Sequence, residues 1–363
     1  MITNRNYNKG RRFLDPLEIE AQYHTEDRAT NPDLLLWIDF TDQNSLRGAN
    51  STGATPPNHL ESIYTAINKS WQSEESESAG NKALAKYVIQ PVSGKQPTWI
   101  DPGDGTPPYA HFNGDHYMEA AGNNLGVSAD SSNFSMSSIE MNKFTVYVVC
   151  QRQSPSISQR QDVLFVTTND FASTVPKEYF SFYFDSLSSY AGTFQMYSMD
   201  LNVFRYTQYD DGDDREFHYH MFNAYEKYSN NDNHSSLQAD GLFHQFDSTD
   251  TDPGMPNPKY DKIAGPEVTA LDGFTGTFTK TFNFSSPINS YHPSVTIGGQ
   301  PQLGGTSAKA TFKGNIYEIL IFKNEHAGGN VLDAGFYNTP FKRRWSNMLY
   351  YLQRKYQHIG VKI

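Results

Sequence analysis

Four aspartates set around one glycine, Asp210, Asp211, Asp213 and Asp214 about Gly212, are the densest group of ligating side chains in the chain. Asp247, Asp250 and Asp252 form a looser second group. Neither has the alternating spacing of an EF-hand loop, and acidic turn tips are ordinarily just solvated. His218 and His220 stand two apart in an extended run, so both side chains leave the same face and can share a metal. The flanking Gly212 and Glu226 approach a metal-binding cupin spacing, but the Glu is too distant and the following glycine is missing. Trp71 and Trp99 lie in polar or Gly/Pro-rich surroundings. An aromatic ring there can stack on a sugar or pin a long loop onto the core, and both readings stay open. Nucleophile triads, P-loops and GxGxxG turns are absent from the chain.

Composition narrows the class of protein. The 363 residues carry 29 Lys+Arg against 40 Asp+Glu, a net charge of −11, which argues against a nucleic-acid binder, since that needs a surplus of Lys/Arg for the phosphate backbone. Aromatics reach 14%, with 24 Phe and 23 Tyr, so a large core is available and strands are favoured over helices. The single cysteine, Cys150, allows neither a disulfide framework nor a cysteine zinc site, and its apolar neighbours read it as a small buried hydrophobe. The opening Met1-Ile2-Thr3-Asn4-Arg5-Asn6-Tyr7 has no apolar core of a signal peptide, and no apolar run is long enough for a membrane span. Arg5, Lys9, Arg11 and Arg12 precede the first acid, Asp15, which makes a basic patch on an acidic protein.

Strands must position whatever site exists. Leu34–Phe40, Tyr87–Ile89, Phe144–Cys150, Val163–Val166, Phe217–Phe222 and Ile316–Phe322 read as short apolar or aromatic strands. Phe180, Phe182 and Phe184 alternate with polar or tyrosyl neighbours at a period of two, and Phe194, Met196 and Ser198 continue it. Phe278, Phe282 and Phe284 share a face, and Val295 and Ile297 run into Gly298-Gly299. Tyr109–Met118 predicts a strand pair turning on Asn113-Gly114, and Leu60–Ile67 predicts a short helix. The C-terminus departs from this period: Trp345, Met348, Leu349, Leu352, Tyr356 and Ile359 fall at helical spacing, between a Thr339-Pro340 start and Gly360. Arg343, Arg344, Arg354 and Lys355 fall on its opposite, charged face. The pattern predicts an all-β, two-sheet antiparallel jelly-roll sandwich with an extended N-terminal arm (1–30) and a C-terminal amphipathic helix (336–363) packed on it. The sandwich itself spans 31–335 and carries long inserted loops at 48–108 and 225–275.

Several landmarks, taken in order, resemble concanavalin A-like lectin/glucanase modules of the laminin-G or pentraxin kind. Leu36-Trp37-Ile38-Asp39-Phe40 with Asn44-Ser45-Leu46 looks like their first strand, and Tyr109–Met118 like the turn that follows a phenylalanine. Phe144–Cys150 is similar to their long inner strand, and Val295–Gly299 with Phe312–Phe322 to their closing pair. The terminal Tyr351–Tyr356 helix resembles endings found in phage and bacterial structural proteins. The resemblance implies binding of glycans or proteins. Through relatives that hold calcium on loop carboxylates, it also makes Asp210, Asp211, Asp213 and Asp214 the candidate calcium ligands. The glucanase branch needs a Glu-x-Asp-x-x-Glu strand to set two carboxylates about 5–5.5 Å apart. No Glu in this chain is followed two residues later by Asp, so that pattern is absent.

These readings predict a non-enzymatic virion structural protein, a phage head decoration, fibre or tail component made in the host cytoplasm, with no required cofactor. Arg5, Lys9, Arg11 and Arg12 would dock on neighbouring virion proteins, and homo-oligomerisation is expected. The alternatives are an adhesin or lectin that holds host-surface glycans through Trp71 and Trp99, and a glycan hydrolase of unfamiliar constellation. Neither nucleic acid nor membrane insertion is expected.

Overall fold

The computed structural model describes residues 34–48, 55–70, 87–120, 139–141, 144–153, 159–167, 171–172, 175–176, 178–184, 192–198, 203–209, 217–225, 241–246, 282–284, 295–300, 309–322, 348, 351–352 and 355–356. The strands of the first part of the chain are β1 (Leu34–Asp39), β2 (Leu46–Gly48), β3 (Ile63–Ile67), β4 (Tyr87–Ile89), β5 (Thr98–Ile100), β6 (Tyr109–Asn113), β7 (Met118–Glu119), β8 (Ile139–Met141), β9 (Phe144–Arg152) and β10 (Gln161–Thr167). They are followed by β11 (Phe171–Ala172), β12 (Val175–Pro176), β13 (Glu178–Phe184), β14 (Gly192–Ser198), β15 (Val203–Tyr209), β16 (Phe217–Tyr225), β17 (Gly241–Phe246), β18 (Phe282–Phe284), β19 (Val295–Ile297) and β20 (Lys313–Phe322).

The strands form two antiparallel sheets packed face to face, as the aromatic alternation predicts. The first, seven-stranded, runs β17-β16-β9-β20-β6-β5, with β1 also on β20. The ten residues of β20 are long enough to serve two partners along one edge, β6 beside Lys313–Ile316 and β1 beside Glu318–Phe322. The second, nine-stranded, runs β15-β14-β13-β10-β19-β7-β4-β3-β2. Two small pairs, β11-β12 and β8-β18, complete the set. β17 lies inside the 225–275 stretch that the sequence reads as an insertion.

Alternation sends Ile38, Phe112, Val146, Val148, Ile319 and Ile321 of the first sheet into one buried cluster with Met118, Leu164, Val166, Phe180, Phe182 and Ile297 of the second. Rings bridge the sheets: Phe144 stacks on Phe180 at 4.8 Å, and Phe312 packs between Phe112 and Phe184. Cys150 sits in this core, and burial pushes its thiol up.

Two sequence expectations change. Ile63–Ile67 is strand β3, not part of a helix. Leu60 takes a positive φ of 69°, which ends any helical path there, and the β-branched Ile63, Thr65 and Ile67 then pair with β2 and β4. Asn113-Gly114 does turn the chain, with Gly114 at φ 95°, but its flanking strands do not pair. β6 pairs with β20 in the first sheet, and β7 pairs with β19 in the second, so the turn carries the chain across the core.

The half of the first sheet's outer face around Asp39 and Glu318 is covered by helical residues from the C-terminal part of the chain. Met348, Tyr351–Leu352 and Lys355–Tyr356 are helical; Met348, Tyr351, Leu352 and Tyr356 are buried, as the apolar stripe predicts. The sequence places Lys355 on the solvated face, whereas it is drawn inward by two carboxylates. Asp39 of β1 and Glu318 of β20 are direct cross-strand partners and both are buried. Lys355 Nζ lies 2.9 Å from Asp39 Oδ2 and 3.0 Å from Glu318 Oε2. Lys69 Nζ adds a contact of 3.1 Å to Asp39 and one of 2.9 Å to Asp42, 4.2 Å above the Trp37 ring. Glu318 also accepts from Trp37 Nε1 and Tyr351 Oη at 2.6 Å and from Tyr356 Oη at 2.7 Å. Thr41 donates to Asp39 Oδ1 through its amide and hydroxyl.

Burial by itself would raise the Asp39 carboxyl, but the ammonium groups of Lys355 and Lys69 and the hydrogen bonds from Lys355 and Thr41 hold it at about 2. A carboxyl depressed in the folded state stabilises above its unfolded value, near 4, and loses that contribution as pH falls toward 2. For Asp39 this is about 2 kcal/mol. Replacing Lys355 by Met leaves two buried carboxylates short of a cation, and urea unfolding at pH 7 should then show a loss of about 3–5 kcal/mol. Asp39→Asn should flatten the acid limb of the stability profile between pH 4 and 2.

Candidate functional site

The Asp39–Glu318–Lys355 cluster is a fastening rather than a reaction centre, because its oxygens are already engaged by protein donors and its carboxylates are closed to solvent. Among the described residues, two other surfaces carry polar groups that the fold does not fully engage.

The first is the part of the outer face of the first sheet beside Lys313–Ile316. Ala110 and Phe112 of β6 face the core, so Tyr109 and His111 face outward, both half-buried. Register places Thr98, His111, Asn315 and Gln151 side by side across β5, β6, β20 and β9. The side chains of the last three form a relay: His111 Nδ1 lies 2.9 Å from Asn315 Oδ1, and Asn315 Nδ2 donates to Gln151 Oε1 at 3.1 Å. With the imidazole proton on Nδ1, Nε2 remains an acceptor without a partner among the described residues. Next to it, Tyr109 packs its ring on Tyr317 at 5.2 Å, and its hydroxyl has no partner among the described residues. Tyr317 sits at the bulge between Ile316 and Glu318 and touches Tyr356 at 6.0 Å, so it joins this strip to the covered half of the sheet. The result is a half-open ring edge beside a row of oriented amide and imidazole groups.

The second surface is the outer face of the second sheet. Register aligns Thr65, Ile89, Glu119, Thr296, Phe165 and Ser181 in one row across β3, β4, β7, β19, β10 and β13. Their strand neighbours Val88, Met118, Ala120, Val295, Ile297, Leu164 and Val166 face the core, which puts the row on the far side. Ile89, Thr296, Phe165 and Ser181 are nonetheless buried, and Glu119 is half-buried. Burial alone pushes the Glu119 carboxyl up to about 7, and no cation or hydrogen bond among the described residues offsets it. Thr296 Oγ1, its cross-strand neighbour, is buried without a hydrogen-bond partner. At the other end of the row, Arg160 grips Asp162 through two nitrogens, donates to Ser181 and lies 3.6 Å over the Tyr183 ring.

Of the residues singled out in the sequence, Trp99 is corrected: it is 3% exposed, lies in the core, and donates from Nε1 to the Phe40 carbonyl at 2.9 Å. Thr98 and Ile100 alternate with it, so the pleat directs the indole between the sheets. Trp71, Arg5, Lys9, Arg11, Arg12, Asp210, Asp211, Asp213 and Asp214 lie outside the described residues. His218 and His220 lie in β16, opposite Cys150 and Val148 in register. No group of three His, Cys, Asp or Glu among the described residues is placed to hold a metal. Among them, no helix is long and apolar enough to cross a membrane. Sequence reasoning passed over Glu318 and Asp39 although each interrupts an apolar strand, which was the available signal. Glu119 and Asn315 carried no such signal, because only strand pairing gives them their neighbours.

No protein-family model matches the sequence, and no curated protein does either. Among solved structures, the Ruminococcus gnavus IT-sialidase CBM40 bound to α2,3-sialyllactose is similar at 11% identity and a TM-score of 0.31, over 60% of this chain and 90% of that one. Trypanosoma rangeli sialidase in complex with sialic acid is similar at 8% identity and 0.33, over 88% of this chain and 34% of that one. The binding domain of botulinum neurotoxin DC is similar at 9% identity and 0.28, over 84% and 52%. Overlaps this loose assign no site and no ligand to this chain; its sandwich is established by its own two sheets.

A raised carboxyl favours folding while it stays protonated, and that contribution is lost as pH rises from the unfolded value near 4.5 through about 7. Glu119→Gln should therefore leave urea stability unchanged near pH 4 and raise it by about 1–3 kcal/mol at pH 8. Equal effects at both pH values would show that Glu119 is normally solvated.

Proposed function

We propose that the protein is a non-enzymatic, glycan-binding β-sandwich that presents its ligand on the open half of the first sheet's outer face. The observation that supports this reading is the Tyr109–His111–Asn315–Gln151 strip. A half-exposed phenol ring supplies an apolar platform, and the row beside it supplies donors and acceptors held in fixed directions by cross-strand hydrogen bonds. Sugars need that combination, because their rings present apolar C–H faces bounded by hydroxyls. A rigid sheet also loses little entropy on binding. Calcium at Asp210, Asp211, Asp213 and Asp214 is an accessory proposal, drawn from the family resemblance.

Immobilised neutral and acidic glycans probed with the full chain should reveal a bound class. Tyr109→Ala or Asn315→Ala should weaken that binding by on the order of ten-fold or more, since each removes a stacking face or the centre of the relay. Full binding by both variants would remove the strip from consideration, and release of free sugar during incubation would replace the binding reading with a hydrolase.

The second reading is that this module belongs to a virion, where residues 1–30 dock on neighbouring subunits. What favours it is the opening basic set Arg5, Lys9, Arg11 and Arg12 on a chain of net charge −11. The described residues of the C-terminal helix are engaged with the chain's own sheet, which leaves docking to the arm. Deleting residues 1–30 should abolish incorporation into particles while the sandwich stays folded; unimpaired assembly of the shortened chain would end the idea.

A further inference from the structure

We propose a second ligand site, on the outer face of the second sheet, in which Glu119 and Thr296 hold the ammonium and a neighbouring hydroxyl of an amino sugar. The choice of a sugar rests on the glycan-binding reading; the demand for a cation comes from the row itself. Glu119 is a carboxyl with neither a counter-charge nor a donor among the described residues, although arginines and lysines elsewhere in the fold answer Asp39, Glu318 and Asp162. Its cross-strand neighbour Thr296 is fully buried with Oγ1 unpaired. Directly opposed residues of an antiparallel pair bring their Cβ atoms to about 4.5–5.5 Å, so one small ligand group can meet both.

A buried hydroxyl without a partner and a carboxyl without a cation are each costly, and placing the two side by side is not explained by packing. Ile89 and Phe165 close the row on either side with apolar surface. An ammonium between such walls is screened less than it would be in open water. Among the described residues, the titratable groups beside Glu119 are Tyr117, two residues before it, and Tyr87 on β4, while β19 and β10 bring none opposite it. Neither phenol supplies positive charge, and the described arginines at the two ends of the row are engaged elsewhere, Arg47 on the Asn44 and Leu46 carbonyls and Arg160 on Asp162 and Ser181, so no described cation answers Glu119. The overall charge of −11 favours the approach of such a ligand.

The test uses the full chain at pH 7 with glucosamine, N-acetylglucosamine and glucose as probes, followed by NMR or calorimetry. Glucosamine should bind on the order of ten-fold more tightly than the other two, in line with a charge-assisted contact, and the preference should shrink with added salt. Glu119→Gln, which is expected to fold at least as well, should erase the preference, and Thr296→Val should weaken glucosamine binding. Tyr109→Ala should leave the preference intact, which separates this site from the strip. Equal binding of all three sugars, or a glucosamine preference that survives Glu119→Gln, overturns the site. If neutral glycans still bind through Tyr109 in that case, the glycan-binding reading stands without it. If glucosamine binds at Glu119 and no glycan depends on Tyr109, the strip fails and the second site remains.

Discussion

Two negative charges set directly opposite each other on neighbouring strands would separate those strands unless something positive lay between them. Asp39 and Glu318 are such a pair, and they are cut off from water. The cations that answer them come from far along the chain, Lys69 just after β3 and Lys355 near the C-terminus. A local interaction thereby becomes a long-range one. The first strand, the last strand and the terminal helical turn are required to assemble together, because any one absent leaves a buried charge exposed to its own kind. Trp37, Tyr351 and Tyr356 complete the arrangement by donating to Glu318 while their rings exclude solvent, so the ion cluster and the aromatic lid are one structure.

That arrangement divides the first sheet's outer face. Beside Glu318–Phe322 the helical residues cover it; beside Lys313–Ile316 it stays partly open, with Tyr317 at the boundary. The bulge at Ile316/Glu318 falls at the boundary of the two halves. It adds a residue to β20, shifts the register against β9, and hands one edge of the strand from β6 to β1. The polar relay of the open half and the ion cluster of the closed half are thus neighbours in one strand serving opposite purposes. One presents groups to solvent, and the other removes them from it. Among the described residues the second sheet has no such closing cluster at its centre, and Glu119 and Thr296 find no partner there.

The strands were legible because aromatic and β-branched residues alternate strongly, as at Phe180, Phe182 and Phe184. What strands pair with was not legible. Asn113-Gly114 has the residues of a tight hairpin, yet the strands it joins belong to different sheets, since turn chemistry sets a local bend and says nothing about which edge is free to pair. Leu60–Ile67 has apolar spacing that suits a helix, but the left-handed backbone at Leu60 and partner edges on β2 and β4 made it a strand. Trp99 shows the same limit for a site residue: its Gly/Pro-rich surroundings left a sugar contact and an anchor on the core both open, and pleat direction decides for the core.

Composition and periodicity alone settled that this is an antiparallel sandwich with an apolar C-terminal helical stripe, because burying aromatic side chains on alternate positions admits few other solutions. Which acids become a fastening, which amides line up as a relay, and which carboxyl is left without a counter-charge were decided only by tertiary pairing. Cross-strand neighbours such as Asp39 and Glu318, or Glu119 and Thr296, are more than 170 residues apart in the chain. Nothing in the local sequence of either member records the other, and only the register of the folded sheet brings them together.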